Sequence, residues 1–462
     1  MVAVLRGELL THLRSPRAGY AAADGAATLI WTVVGGYLVV YYTDVAGLPA
    51  AAVGTLFLLV RMFDAIVDPV IGVVIDRTRT RWGRSRPYFL WASVPFATLA
   101  VLTFSVPDWS ESGRLAWAYV TYLLLSVLYS LATIPVVSIL AALTADDRER
   151  VRLSSLRTAG NLVTSVAAGA AILPLVAMLG GGDDGRGYTL AMFLLGSVSV
   201  VLFLFAFATL RERAAGDRRL RVAEVRTVMR GNLPLKIMIG GGLLINAASV
   251  TRVASTVYFC RDYLGREDLV PVLALFPVLM IVGLVLARPV AQRIGKRNAL
   301  VVALIVQAIG FALPIPFGQH VGPVLAGTAL ASAALGLLIS VEYAVLADIV
   351  DYTDWRYGVR AAGVIASLAA FSAKAGSALG GAALGWLLAA GGYRSGAEQQ
   401  PAAALNAIRF CFYGLPVIVW LLVAVLLAAY KVDQQLARIR ADLAAREVVA
   451  DVESETRFTT RP

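Results

Sequence analysis

The chain has 462 residues, of which 59% are hydrophobic and 15% charged, and its formal net charge is +11. A soluble protein is about 45–50% apolar, so this composition excludes a soluble domain and indicates an integral membrane protein. The basic residues lie in short loops between apolar stretches, which points to membrane topology and away from nucleic-acid binding. The two cysteines and two histidines have no metal-site spacing and form no disulfide framework, so a metal or catalytic site is not expected.

Apolar stretches long enough to cross a bilayer, about 20 residues each, recur along the chain. We predict twelve spans, at residues 18–43, 50–76, 87–106, 114–143, 152–179, 187–210, 234–261, 269–290, 298–317, 322–350, 360–390 and 406–430. The longest polar interval follows the sixth span. The prediction is therefore an all-α membrane protein with two six-helix halves, residues 1–210 and 234–430, joined by a cytoplasmic linker at 211–233 and followed by a cytoplasmic tail at 431–462.

Positively charged residues mark one side of the membrane. Arg and Lys are concentrated in the N-terminal segment and in the loops after spans 2, 6 and 8, whereas the opposite loops are mixed or acidic. Cytoplasmic loops of membrane proteins carry the excess of Lys and Arg. Both termini are therefore predicted to be cytoplasmic, with the chain in an inner (plasma) membrane.

Span 1 carries one acidic residue, Asp24, with Thr28 and Trp31 near its face. A charge in lipid is costly, so an ionisable residue inside a span usually marks a ligand or ion path. We predict that Asp24, Thr28 and Trp31 bind substrate. The alternative is that Asp24 is satisfied structurally near the cytoplasmic helix end.

Span 2 contains three charged residues, Arg61, Asp64 and Asp68, which share one helix face. Two acids one turn apart inside a span predict a cation-binding site. The alternative is a buried ion pair that only joins helices. Asp76 and a cluster of arginines lead into the hairpin before span 3, and we predict that Arg61, Asp76 and Arg77 take part in gating.

Spans 4 and 5 offer polar groups at a similar depth. Tyr129, Ser130 and Thr133 lie close together in span 4, and Arg157 lies inside the start of span 5. We predict that Ser130 and Thr133 supply neutral oxygens to the cation site. Tyr129 and Arg157 are predicted to bind substrate.

Polar residues inside the C-terminal spans complete the predicted substrate site: Asn246, Arg252, Glu342 and Lys374. Lys374 lies among small residues that allow close helix contact. A lysine in a span needs an anion, which Asp64 or Asp68 would supply across the two halves.

Acidic residues at the cytoplasmic end of span 10 are expected to form an ionic latch with arginines between the halves. The acids are Asp348, Asp351 and Asp354, and the arginines are Arg152, Arg293 and Arg360. The alternative is simple solvation of these acids at the membrane edge.

One segment resembles a known family. Asp64 to Pro87 reads D-x-x-x-D-P followed by D-R-T-R-T-R-W-G-R-x-R-P, which resembles the glycoside–pentoside–hexuronide:cation symporters of the major facilitator superfamily. The resemblance extends to YYTDVAGL at Tyr41–Leu48, to ADIVDYTDW at Ala347–Trp355 and to Lys374. It implies a major facilitator fold with twelve transmembrane helices in two six-helix halves.

The resemblance also implies roles for single residues. Asp64 and Asp68 match the family's cation-site carboxylates, and Arg157 and Lys374 match polar residues of its sugar and cation region. The residues that match its inner ionic gate are Asp351 and Asp354.

Four positions depart from the family pattern. A sugar-binding aspartate of span 1 is replaced by Thr28, an aspartate of span 4 by Thr133, an asparagine by Val67 and a sugar-stacking tryptophan by Ile339. Sodium needs several oxygens held together, whereas a proton needs one carboxylate in a suitable environment. Loss of an amide and a carboxylate therefore favours H+ over Na+ as the coupling ion.

The hypothesis from sequence is a secondary active transporter that couples a cation to symport of a sugar, glycoside or sugar-like metabolite by alternating access. Alternatives are transport of an amphiphile such as a lysolipid, or of a natural product, on the same fold, and more remotely a non-transporting membrane sensor. An enzyme is not expected, because no catalytic base or metal set is evident. No cofactor beyond the coupling ion, no nucleic acid and a monomeric state are expected.

Overall fold

The computed structural model describes residues 16–143, 147–212, 231–358, 362–397, 399–433, 435–439, 441–443 and 445. Most of the predicted linker and tail, and Arg360 of the predicted latch, lie outside the described residues. The helices of the first half are α1 (Pro16–Val40), α2 (Ala50–Arg77), α3 (Arg86–Trp91), α4 (Ser93–Thr103), α5 (Glu111–Leu143), α6 (Asp147–Gly180) and α7 (Asp184–Thr209). Those of the second half are α8 (Leu233–Tyr258), α9 (Leu269–Leu275), α10 (Met280–Ile294), α11 (Lys296–Ala312), α12 (Val321–Tyr357), α13 (Ala362–Ala390), α14 (Ala402–Arg409) and α15 (Leu415–Leu426).

Ten helical segments of the described chain are long and apolar enough to cross a membrane. They correspond to ten of the predicted spans and make this a multi-pass helical membrane protein. Predicted span 2 corresponds to α2, which is a continuous helix of 28 residues. It is not among the ten, and charged residues interrupt its apolar sequence. Predicted span 3 corresponds to α3 and α4, which are separated at Ala92. Pro95 lies in the first turn of α4 and cannot donate a backbone hydrogen bond, which favours such a break.

A repeated turn shows that the two halves are built alike. α1 continues into a π-helical turn at Tyr41–Val45, and α8 continues into one at Phe259–Tyr263. Two residues after each turn comes a glycine in the left-handed region, Gly47 with φ of 64° and Gly265 with φ of 67°. Glycine adopts this conformation without steric cost. The same turn at the same place in both halves is the internal symmetry expected of repeated transporter halves.

The helix bundle has two ends. One carries Asp44, Gly265 and Tyr393 and is called the Asp44 end; the other carries the arginine-rich hairpin between α2 and α3 and is called the arginine end. The larger hydrophobic core runs through the first half and continues into residues of the second half at the Asp44 end, such as Tyr258 and Leu388. The second core lies within the second half. The halves therefore share a hydrophobic core at the Asp44 end.

Small residues bring α2 and α13 into close contact. A Cβ added at Gly385 would lie 2.7 Å from the Cα of Gly54, and one added at Gly381 would lie 2.8 Å from the Phe57 ring. Close backbone approach through glycine is typical of helix pairs in membranes. The contact holds these two helices side by side, one from each half, and thereby positions their charged residues.

Candidate functional site

The first carboxylate of α2, Asp64, is buried and tightly bound. Ser126 of α5 donates its hydroxyl proton towards Asp64, with its Oγ 2.6 Å from Oδ1 and 2.5 Å from Oδ2. Arg61, one turn earlier on α2, lies 3.4 Å from Asp64 Oδ2 through Nη1. One positive charge and one hydroxyl therefore stabilise this carboxylate within its own half.

The second carboxylate, Asp68, links the two halves. Lys374 of α13 forms an ion pair with Asp68 Oδ2. The other oxygen, Oδ1, is buried and has no hydrogen-bond partner within the described part of the chain. The sequence predicted that Lys374 pairs with Asp64 or Asp68, and the structure pairs it with Asp68.

The hydroxyl that donates to Asp64 is that of Ser126, and the roles predicted for Ser130 and Thr133 as neutral cation ligands stay predictions. Ser130 is buried, and the Thr133 hydroxyl donates to the Tyr129 carbonyl of its own helix at 2.9 Å. Helical threonine often returns its proton to the carbonyl four residues back, which removes it as a donor to other groups. Ser126, which the sequence reasoning missed, lies one turn before Ser130 on the same face. That spacing was the available signal for it.

The predicted substrate residues of the first half form one polar cluster. Arg157 of α6 lies 3.3 Å from Asp24 Oδ2 through Nε. Asn161, one turn further along α6, donates to Asp24 Oδ2 at 3.0 Å and to the Thr28 hydroxyl at 2.8 Å. The cluster offers an acid, a guanidinium, an amide and a hydroxyl, which are groups that can hydrogen-bond to the hydroxyls of a polyol or sugar.

An aromatic wall connects this cluster with the carboxylate pair. The rings of Trp31 and Tyr129 stack with centroids 3.9 Å apart and an angle of 18°. The Arg61 guanidinium lies 4.3 Å from the centre of the Trp31 ring, a distance typical of cation–π contact. Arg61, predicted as a gating residue, therefore lies centrally, between the aromatic wall and Asp64.

The structure does not bring the other C-terminal candidates into this cluster. Asn246 donates to the Gly242 carbonyl of its own helix at 2.9 Å. Arg252 lies between the rings of Phe311 and Phe412, at 4.3 and 4.7 Å from their centres, and lines a separate cavity of about 180 Å³. Glu342 faces an apolar pocket within the second half. The cavity beside Arg252 lies between the halves, because Thr32 and Gly169 of the first half also line it, whereas the pocket beside Glu342 is lined by residues of the second half.

One predicted latch residue, Asp348, also has a partner that was not predicted. Asp348 is fully buried and its oxygens lie 2.5 and 2.7 Å from Lys296 Nζ, in the same half. Lys296 begins α11 immediately after the turn at Gly295, which brings it against α12. This contact lies within the second half, and the predicted pairing of Asp348 with an arginine of the latch stays a prediction, because Arg360 and the side chain of Arg152 lie outside the described residues.

The remaining gating residues stay predictions. Arg77 and Arg293 are exposed, at the ends of α2 and α10, and Asp351 and Asp354 lie near the end of α12. The side chains of Asp76 and Arg152, like the whole of Arg360, lie outside the described residues.

A polar contact between the halves at the Asp44 end was not predicted. Arg261 Nη2 lies 2.6 Å from Asp44 Oδ2, and the Tyr393 hydroxyl donates to Asp44 Oδ1 at 3.0 Å. The hydroxyls of Thr43 and Tyr258 are hydrogen-bonded at 2.7 Å. Burial and the neighbouring Asp44 carboxylate raise the pKa of Tyr393, so that it remains a hydrogen-bond donor. These groups are called the Asp44 lock below.

Removing the acid of this lock should open the Asp44 end. We expect Asp44→Asn to speed labelling of a cysteine introduced at Val40, by about tenfold for each 1.4 kcal/mol of lost contact energy. Val40 is buried and lines a cavity of about 940 Å³ that Asp44 and Arg261 also line. The native cysteines are both buried. The measurement is the rate at which the purified protein reacts with a maleimide.

The matched control for this experiment is Asp262→Asn. Asp262 also contacts Arg261, at 2.9 Å, but it belongs to the same half as the arginine. Its loss should leave the labelling rate of the Val40→Cys reporter near that of the parent. Equal acceleration by both variants would show that the halves are not held together by Asp44.

The chain is similar to known transporters over nearly its whole length. A profile of the family described as MFS/sugar transport protein matches residues 19–434. An isoprimeverose transporter of Lactiplantibacillus pentosus is 37% identical over 440 residues, covering 93% of this chain and 91% of the relative. A protein of Escherichia coli (strain K12), named provisionally as the glycoside/cation symporter YagG, is 33% identical over 430 residues and covers 92% of each chain.

A solved structure shares the fold. A bacterial homologue of the human lysosomal transporter Spinster, in an inward-facing and unoccupied conformation, superposes with a TM-score of 0.67 at 14% sequence identity. The match covers 92% of this chain and 97% of that one. At this level of identity the likeness concerns the fold alone.

Proposed function

The chain belongs to the MFS/sugar transport protein family, among the glycoside–pentoside–hexuronide:cation symporters, and from this premise we propose how it couples a cation to sugar. It is a cation-coupled sugar symporter and not an enzyme. The coupling cation binds at Asp64 and Asp68, and the sugar binds beside the aromatic wall. The observation that carries this proposal is the ion pair between Asp68 and Lys374, which joins the two halves next to the buried Asp64.

Coupling follows from the position of that ion pair. A cation that binds to Asp68 competes with Lys374 for the same carboxylate and so weakens a contact between α2 and α13. A ligand shifts a conformational equilibrium only through different affinities for the two states. Cation binding at Asp68 therefore changes the energy of rocking the halves, which is the requirement for coupling.

The surroundings of the pair support H+ over Na+. Asp64 already accepts from Ser126 and lies beside Arg61, and Asp68 lies beside Lys374. Sodium would need several oxygens together and no nearby positive charge, as is usual for hard cations. A proton needs only one free carboxylate oxygen, and Asp68 Oδ1 is such an atom among the described residues.

The substrate is proposed to be a sugar or glycoside that lies against Trp31 and hydrogen-bonds to Asp24, Arg157 and Asn161. One relative is named as an isoprimeverose transporter, which supports a glycoside substrate. We further propose a monomer with both termini in the cytoplasm and with no cofactor and no nucleic-acid partner. The arginine end is then the inner end, and the Asp44 lock closes the outer end.

The test is uptake into proteoliposomes under one gradient at a time. With an inward proton gradient at equal sodium, we expect a radiolabelled isoprimeverose or xyloside to accumulate above its external concentration. With an inward sodium gradient at equal pH, it should only equilibrate. Strong accumulation in sodium alone would refute the preference for protons, and accumulation of no sugar under either gradient would refute the assigned substrate class.

A further inference from the structure

A carboxyl group in the second half lies in surroundings without charge. Glu342 of α12 is partly buried and borders a small pocket formed by α8, α11 and α15. The pocket is lined by apolar side chains that include Ile237, Ile245, Leu300 and Val423. Among the described residues, Glu342 is the one charged group that lines it.

Glu342 differs in this respect from the other acids inside the helices. Four of them have a positively charged neighbour in the same bundle: Asp24 with Arg157, Asp64 with Arg61, Asp68 with Lys374 and Asp348 with Lys296. For Glu342, the described residues provide neither an ion pair nor a hydrogen bond. It stands apart as a carboxyl group that no partner stabilises in its charged form.

The charged groups of the helices packed around Glu342 do not reach it. On α8 these are Lys236 and Arg252, on α10 Arg288 and Arg293, on α11 Lys296 and Arg297, on α13 Lys374, and on α12 itself Asp348, Asp351, Asp354 and Arg356. None of them lines the pocket. The Ser372 hydroxyl of α13, which lies near Gly242 as Glu342 does, donates to the Ile239 carbonyl instead.

An isolated carboxyl group in an apolar site is held in its neutral form, because charging it would lose the hydration of the anion without compensation. It can release its proton when water reaches it. α8 forms one wall of this pocket and also packs against α1 of the first half, so movement of the halves against each other acts on that wall. Rocking of the halves would therefore change the access of water to Glu342.

We propose that Glu342 carries a proton of the transport cycle, at a site separate from Asp64 and Asp68. While the apolar pocket surrounds it, its carboxyl O–H stays intact. When water enters, the O–H bond breaks, the proton passes to water and a carboxylate remains until a proton is taken up again. This inference depends on the proposed proton coupling and adds a second residue to it.

The test uses Glu342→Gln, which has the shape of the protonated acid and cannot release a proton. We expect sugar accumulation under a proton gradient to fall by about tenfold or more, the size of an ordinary coupling interaction, while counterflow of labelled sugar continues. Purified Glu342→Gln should also exchange fewer protons with a weakly buffered solution when sugar is added. Glu342→Asp, which keeps a titratable group, should restore part of the accumulation.

Asp108→Asn is the matched control, because Asp108 is an exposed acid in the loop between α4 and α5. Sugar accumulation by Asp108→Asn should equal that of the parent. If the parent responds to a proton gradient and Glu342→Gln accumulates sugar as well as the parent, the inference is overturned and proton coupling stands. If the parent responds to sodium alone, both are overturned. A variant with neither accumulation nor counterflow would show that Glu342 is required for structure, which also overturns the inference.

Discussion

Asp68→Asn is expected to abolish uphill accumulation of sugar while exchange of sugar across the membrane continues. The asparagine amide cannot take up a proton in the way a carboxylate can. The energy of rocking the halves therefore no longer depends on whether a cation is bound. The change also removes the charge that Lys374 pairs with across the halves. Since the Lys374 side chain is 36% exposed, water can partly replace the lost partner, and the fold should survive.

The measurement compares counterflow with gradient-driven uptake in the same vesicles. Asp64→Asn should behave likewise, because Asp64 belongs to the same buried pair. In the double variant Asp68→Asn with Lys374→Gln, exchange should be faster than in Asp68→Asn, since no unpaired lysine remains, but accumulation should not return. Asp108→Asn makes the same chemical change on the surface and should resemble the parent. Normal sugar accumulation by Asp68→Asn would show that Asp64 and Asp68 have a structural role and would contradict the proposed coupling.

Asp24→Asn is expected to weaken sugar binding by about 1–3 kcal/mol, the usual consequence of leaving a buried polar partner unsatisfied. Asp24 is the acceptor for both Arg157 and Asn161, so its neutralisation disturbs the whole cluster. At 1.4 kcal/mol per factor of ten, the dissociation constant should rise about 5- to 150-fold. Isothermal titration of the purified protein with sugar measures it directly.

Asp24→Asn should be selective for sugar binding. Cation binding, followed as proton exchange in the absence of sugar, should change little in Asp24→Asn, because the Asp24 cluster lies beyond the aromatic wall from the carboxylate pair. A matching change at Asp108 should leave both ligands unaffected. If Asp24→Asn weakened cation and sugar binding equally, Asp24 would have a structural role, the alternative that the sequence left open.

The sequence by itself was sufficient for the membrane class, the family and ten of the spans. The reason is physical: a bilayer requires a run of apolar residues of nearly fixed length, and such a run is a continuous stretch of sequence that can be recognised without knowing the fold. The charged faces were also readable, because helical periodicity places Asp64 and Asp68 on one side and Arg157 and Asn161 on another. The break between α3 and α4 was missed, since it interrupts hydrogen bonding without interrupting the apolar pattern.

Only the tertiary structure decided which charged groups meet. Lys374 and Asp68 are 306 residues apart, and Arg261 and Asp44 are 217 residues apart. Periodicity tells which face of a helix is polar, but it does not tell which helix lies opposite or at what depth. The contacts of Ser126 with Asp64 and of Lys296 with Asp348 follow from the close approach and axial offset of packed helices. Those quantities depend on contacts between distant segments, which no local stretch of sequence determines.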